Sequence, residues 1–233
     1  MNRSQPPRAT PSCPCNRPCQ TAVDTSVIMR LGEPFRFKRG EQLWAQGAEA
    51  DAVISICTGT AKLSREWPGG REVIMELLFR GDVAGEEAVL PSGTRNASLV
   101  ALQAGKGMRL SSTRLQRHVR EDPALAQNLM RLSIARQENF AHRIDEMVQG
   151  PVENRLARVL TRISDKVGLK DSRGTFLPVR LSRGDLADMV GCRVETTIRI
   201  MTRWQRQGVL ETQREGLIIR EGSVLEESAR KSA

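Results

Sequence analysis

With 233 residues the chain has room for one large domain or two small ones, and its 39% apolar content suffices for a core. Lys and Arg number 36 against 27 Asp and Glu, and the resulting charge of +9 favours an anionic partner. No apolar stretch approaches the roughly 18–20 residues of a membrane-spanning helix, and the amino terminus carries Arg3 and Arg8 without the apolar core of a secretory signal, so a cytoplasmic protein with no membrane partner is expected.

Residues 1–24 combine Pro6, Pro7, Pro11, Pro14 and Pro18 with Cys13, Cys15 and Cys19. Such a segment cannot bury enough apolar surface to fold alone. Without secretion the five cysteines read as reduced thiols or metal ligands, not as a disulfide framework. Three thiolates this close can hold one soft metal or a cluster if a fourth donor joins them, and Cys57 is the donor at hand outside the carboxyl-terminal region. The plainer alternative is a tail of free thiols, with Cys57 a small apolar strand residue.

From about residue 35 to 110 short apolar runs are punctuated by Gly40, Gly47, Gly59, Gly69, Gly70, Gly81 and Gly85. Strands are expected at 52–57, 61–64 and 72–78, in a small β-barrel or roll that makes a sensory domain of residues 25–122. The chain turns helical from 112 to 149. Pro123 suits a helix start. Met130, Ile134, Gln137, Ala141, Ile144 and Val148 then follow a 4-3-4-3-4 spacing, with Phe140 and Met147 beside the seam. This heptad stripe suits packing against an identical helix; the alternative lays it on the β-roll. Residues 123–150 are therefore read as a dimerisation helix and hinge, broken at Gly150-Pro151. The lone His118 and His142 are expected on helix surfaces.

A further helix at about 152–166 opens a last domain, 151–222, followed by a tail, 223–233. Within that domain, Leu181 to Trp204 reads as two short amphipathic helices. Ser182 and Asp185 have the spacing of a capping box. Leu186, Ala187, Met189 and Val190 form the buried stripe of the first helix. Gly191 supplies the positive φ that ends it, and Cys192 fills the turn. In the second helix, 193–207, Thr197, Ile200, Met201 and Trp204 face inward, while Val194, Glu195, Arg199, Thr202 and Arg203 fall on the other side. Gly208 ends the helix, and Gly216 sits in a short hairpin, the wing of a winged helix-turn-helix. An apolar side that holds the helix and a polar side that reads bases are what a DNA major groove requires. The bland alternative is a helical pair docked on something else, with Glu195 and Arg199 a solvated pair worth about 0.3–0.5 kcal/mol.

The run Val-Gly-Cys-x-x-Glu-Thr-x-x-Arg, from Val190 to Arg199, resembles the recognition-helix region of the cyclic AMP receptor protein and FNR (Crp/Fnr) family of bacterial transcription regulators. Gly40-Glu-Gln-Leu-Trp-Ala-Gln-Gly47 and Gly81-Asp-Val-Ala-Gly-Glu86 resemble that family's β-roll, and the resemblance runs from about Leu31 to Arg220. It implies an α+β fold: an N-terminal cyclic-nucleotide-binding-like β-roll, a long dimerisation helix and a C-terminal winged helix-turn-helix. It also implies a homodimer on a palindrome of double-stranded DNA, with RNA polymerase as a further partner if the protein is an activator. Recognition helices would enter successive major grooves about 34 Å apart. Arg199 is the expected guanine contact through O6 and N7, Glu195 accepts from a cytosine amino group and braces Arg199, and Val194 and Ile198 meet thymine methyls. Ser182, Arg183 and Thr202 are expected at phosphates, with Arg203 on the same outer face. The Val-Glu-Thr-x-x-Arg form is nearer to the FNR branch than to the cyclic AMP branch, although Ile198 replaces a polar residue of the former.

The resemblance implies two candidate effectors, a cyclic nucleotide or an iron–sulfur cluster. In the first, Gly85, Glu86, Arg95 and Asn96 frame the pocket: the arginine takes the cyclic phosphate and the glutamate the ribose hydroxyl. Asn96 stands where the family usually has Ser or Thr, and Phe140 where a helix hydroxyl meets the base. Alternatively, Arg95 pairs with Glu86 or Glu87. In the second, Cys13, Cys15, Cys19 and Cys57 hold the cluster, as cysteines do in the FNR branch. Their C-x-C-x₃-C spacing differs from that branch's C-x₂-C-x₅-C, and Cys57 lies well ahead of its fourth cysteine.

Two other classes compete. One is a cyclic-nucleotide-binding signalling module whose winged helix contacts protein. The other is an enzyme, against which stand the absence of a Gly-x-x-x-x-Gly-Lys-Ser/Thr loop, a His-Glu-x-x-His pair and a Gly-x-Ser-x-Gly elbow. With two histidines and no tyrosine, few general acid–base groups remain, and no enzyme is expected.

Overall fold

The computed structural model describes residues 26–230, apart from the side chains of Asp145 and Glu146. After a short helix α1 (Ser26–Leu31) the chain lays down β1 (Glu33–Phe37), β2 (Gln42–Trp44), β3 (Ala52–Trp67), β4 (Arg71–Leu78), β5 (Val83–Ala84), a 3-10 turn (Glu86–Val89) and β6 (Ser98–Ser111). The sheet order is β1-β6-β3-β4, with β2 added on β6 and β5 on β3, and the pairings are antiparallel. Phe37, Ile54, Ile56, Leu63, Leu78 and Leu99 fill its interior.

The strands expected at 52–57 and 61–64 are one continuous strand. Gly59 has φ +86°, and a Cβ there would stand 2.8 Å from the Ala104 carbonyl oxygen. The register of β3 against β6 slips between Ile56 and Ala61. The strand therefore bulges through the glycine instead of ending at it.

Ser111 accepts a hydrogen bond from the Arg114 amide (3.5 Å) and starts α2 (Ser112–Glu121). The 26-residue α3 (Pro123–Val148) follows, about 39 Å long at 1.5 Å per residue. One side of α3 is buried: Leu125 and Leu129 pack with Val53, Leu110 and Leu115 of the roll and α2. The heptad stripe is on another side. Ile134 is 49% exposed and Ile144 60%, and Met130 and Val148 are more open still, so the stripe does not lie on the roll. Phe140 leaves that seam and packs against the interior cluster of the roll.

Gly150 (φ +77°) and Pro151 interrupt the helix, and α4 (Val152–Val167) begins afresh. The last domain continues with β7 (Leu169–Asp171), β8 (Gly174–Leu177), α5 (Arg183–Val190), α6 (Val194–Arg206), β9 (Leu210–Gln213), β10 (Gly216–Ile219) and α7 (Gly222–Arg230). Two features correct the sequence reading. The wing hairpin β9–β10 is half of a four-stranded sheet, β7-β8-β10-β9. Residues 223–230 form no tail but most of α7: Leu225 is buried in the same cluster as Leu156, Val159 and Leu160 of α4, with Ala229 packed against it. No helix among the described residues is long and apolar enough to cross a membrane.

Candidate nucleic-acid interface and effector cleft

The local chemistry of the two-helix unit follows from its sequence. Ser182 Oγ accepts from the Asp185 amide (2.9 Å), and the Asp185 carboxylate accepts from the Ser182 amide (2.9 Å), closing the capping box of α5. Gly191 ends α5 with φ +66°, a left-handed conformation that costs a side chain strain. Cys192 Sγ lies 3.2 Å from Thr197 Oγ1 in the turn. Thr197, Ile200, Met201 and Trp204 are buried. Trp204, 2% exposed, donates from Nε1 to Glu153 of α4 (3.0 Å). The sequence reading did not foresee Glu153 as the anchor of α6; an acidic residue in the first turn of a helix reads as ordinary dipole compensation.

With that side anchored, α6 turns Val194, Glu195, Ile198 and Arg199 outward, and Thr202 sits half-buried beside them. Glu195 and Arg199 form no ion pair with each other among the described residues, so the bracing expected between them is not present. The other expected DNA contacts are partly committed elsewhere. Arg203 pairs with Glu153. The Ser182 hydroxyl serves the cap. Arg183 donates to Thr212 of the wing (2.9 Å), and half-burial pushes its guanidinium below the ordinary arginine value.

Three cations tie α5 to the rest of the molecule. Lys62 of β3 bridges Glu72 (2.9 Å) and Asp185 (3.1 Å). Burial acts against that charge, but the two carboxylates outweigh it and raise the Lys62 pKa. Arg71 reaches the Gly191 carbonyl (3.4 Å). Arg143 of α3, 4% exposed, donates to the carbonyls of Ile74 in β4 (3.2 Å) and Met189 in α5. Nearby, Asp188 is pushed up, first by burial and then by the Glu72 charge. Sequence periodicity gave no sign of these contacts; an arginine on the inner side of a long helix, such as Arg143, was the one available hint.

The expected nucleotide cradle is divided between two separate ion clusters. Arg95, 1% exposed, donates to the Ala52 carbonyl (2.6 Å), pairs with Asp51 (3.2 Å) and Glu87 (3.5 Å), and lies 4.0 Å over the Trp44 ring. The ion pair with Glu87 that stood as the alternative is thus present. Glu86 turns to Arg136 of α3, which also pairs with Glu76 (2.9 Å) and donates to the Val83 carbonyl (2.7 Å). Burial opposes the Arg136 charge most strongly, yet Glu86 and Glu76 overcome it and hold its pKa above the ordinary value. Asn96 is exposed and borders a cleft of about 500 Å³ between the 3-10 turn and α3.

Cys57 is buried in β3, and Cys13, Cys15 and Cys19 lie outside the described residues. No three His, Cys, Asp or Glu side chains among the described residues are grouped to hold a metal ion, so the described part offers a cluster no ligand set beyond the buried Cys57.

Two family profiles match the chain: a cyclic nucleotide-binding domain over residues 34–122 and a Crp-like helix-turn-helix domain over 154–228. The chain is 22% identical over 211 residues to the CRP-like cAMP-activated global transcriptional regulator of Mycobacterium tuberculosis, covering 89% of this chain and 94% of that protein. It is 27% identical over 193 residues to the cyclic AMP receptor protein of Thermus thermophilus, covering 83% and 86%. Among solved structures, FixK2 from Bradyrhizobium japonicum superposes with a TM-score of 0.75 at 18% identity, over 87% of this chain and 100% of that one. That likeness is one of fold.

Proposed function

The chain belongs to the Crp/Fnr family of DNA-binding transcription regulators, and on that premise we propose that it acts as a homodimer reading a palindromic operator through paired α6 helices. The observation that carries the reading is the two-sided α6: one side clamped by Trp204 to Glu153, the other presenting Val194, Glu195, Ile198 and Arg199 to solvent. A major groove takes a helix in that posture. Arg199 is the leading guanine contact, Glu195 the cytosine contact, and Val194 and Ile198 meet thymine methyls. Arg183 and Thr202 are the proposed phosphate contacts, Arg183 exchanging its bond to Thr212 for one to the backbone of the duplex.

The exposed Met130, Ile134, Ile144 and Val148 of α3 supply the seam of the dimer, since a stripe at heptad spacing is covered best by its own copy. Arg143 and Lys62 fasten α5 to α3 and the roll in this arrangement, and a second arrangement would release those contacts. An effector would act by biasing two existing arrangements across Gly150-Pro151.

Arg199→Ala should cost about 1–3 kcal/mol at the matched operator and far less on random duplex. A gel-shift titration of both duplexes over a range of salt checks it, with a steep log–log salt dependence expected from the phosphate contacts. Equal losses on both duplexes, or an affinity indifferent to salt, would return the wing to a protein-binding role. A charge placed in the seam gives a second test. Ile134→Glu with Ile144→Glu should convert a dimer to a monomer in sedimentation, because burying two like charges against their copies is costly. Operator affinity should fall with it; a dimer that persists removes α3 from the interface.

A further inference from the structure

The cleft between the 3-10 turn and α3 is the place where a cyclic nucleotide would be expected, and its chemistry does not suit one. Its volume, about 500 Å³, lies within the roughly 300–1,000 Å³ of small-molecule sites. A cyclic phosphate needs a cation with donors to spare. Arg95 has few: its side chain is fully buried, its Nη atoms are held by Ala52, Asp51 and Glu87, and its Nε, which has no acceptor, is sealed from solvent. A Cβ on Gly85 would stand 2.5 Å from Arg95 Nη1, so the guanidinium already occupies the space before that glycine. Arg136, the cation that does line the cleft, spends Nε on Glu76, Nη1 on Glu86 and Nη2 on the Val83 carbonyl.

The acidic groups at the wall are Glu86 and Glu87. An entering anion would meet both carboxylates and give up its water with only the uncharged donors of Asn96, Ser133 and Gln137 in return, a costly exchange in a half-enclosed site. The remaining wall is mainly apolar: Val89 and Leu90 from the turn, and Leu129, Met130 and Phe140 from α3. Asn96, Ser133 and Gln137 add hydrogen-bonding groups without charge. Phe140 puts an apolar ring in the wall where a polar contact to a base would be needed.

We infer that this cleft binds an uncharged, mainly apolar small molecule and does not bind cyclic nucleotides. Met130 and Gln137 belong both to the cleft wall and to the α3 stripe, so such a ligand would lie against the dimer seam and could shift it. The sensory role rests on the family reading above, but the binding itself is measured without DNA, so the two fail separately.

The test uses the full chain. N-phenyl-1-naphthylamine, a neutral apolar fluorophore, is titrated into the protein, and cyclic AMP and cyclic GMP are added in parallel calorimetric and melting experiments. Saturable, blue-shifted fluorescence is expected, with no heat of binding and no rise in melting temperature from either nucleotide at millimolar concentration. Ala126→Trp and Ser133→Trp each put an indole into the cleft and should weaken the dye by at least about tenfold while keeping the wild-type circular dichroism. Binding of either nucleotide to the wild-type protein overturns the inference, with no variant required. So does dye binding that is absent from the wild type, or that persists unchanged in a folded Ser133→Trp or Ala126→Trp protein.

Discussion

Trp204→Ala should destabilise the carboxyl-terminal domain by about 3–5 kcal/mol, the range for removing a large aromatic from a close-packed core. The indole is 2% exposed and belongs to the same buried cluster as Leu156 and Leu160 of α4, Met201 of α6 and Leu225 of α7. The change also leaves Glu153 without its Nε1–H donor, though Arg203 stays as a partner. The two costs can be separated. Trp204→Phe keeps most of the buried area and loses the hydrogen bond, and should cost only about 1.5–3 kcal/mol, the range for a hydrogen bond to a charged group. Urea unfolding followed by circular dichroism measures both. Since α6 owes its orientation to this anchor, operator affinity should fall with stability in Trp204→Ala. A variant that unfolds within about 1 kcal/mol of the parent would show that the cluster closes over the gap.

Arg136→Met has a comparable expected cost, about 3–5 kcal/mol, through a different mechanism. The guanidinium is shared by Glu76 and Glu86, whose side chains are 17% and 12% exposed. Removing it leaves two like charges close together and poorly hydrated, and strands the Val83 carbonyl. The penalty should depend on pH with a defined sign. In the variant the two carboxyls bind protons more tightly folded than unfolded, so folding takes up protons and acid favours the native state. The deficit against the parent should be full at pH 7 and shrink as pH falls toward the ordinary carboxylate range near about 4. Thermal melts of both proteins from neutral to acid pH read this out. A deficit that is constant with pH would mean that packing, not charge, is what Arg136 supplies. Replacing Glu76 and Glu86 by Gln in the same background should recover much of the loss, because burying three apolar or neutral groups is often no worse than burying an ion triad.

Much of the DNA-binding unit was legible in the chain. The Ser182–Asp185 cap, the left-handed Gly191, the inward Thr197, Ile200, Met201 and Trp204, and the break at Gly150-Pro151 all stand where the sequence pattern put them. Each depends on residues within a turn or two of one another, and backbone sterics and helical periodicity act over that range. The α3 stripe was legible for the same reason, and Met130, Ile134, Ile144 and Val148 are exposed.

The cleft between the 3-10 turn and α3 was legible only as a resemblance. Glycine and arginine at the expected positions said nothing of what the arginine would touch: Asp51 lies 44 positions before Arg95, and Glu86 is 50 before Arg136. Which carboxylate meets which guanidinium is set by how β3, the 3-10 turn and α3 pack, and no local pattern encodes it. The same holds for β7–β8, a short hairpin that joins the sheet because β10 pairs with β8, and for α7, whose single buried Leu225 needs the face of α4. The sequence alone determined α3 to α6, the cap of α5 and the outward row of α6, because these are short-range consequences of side-chain shape and φ. Only the tertiary structure decided where the buried charges find their partners, and hence what the cleft can bind, because an ion pair in a low-dielectric interior is made by residues that the fold brings together from far along the chain.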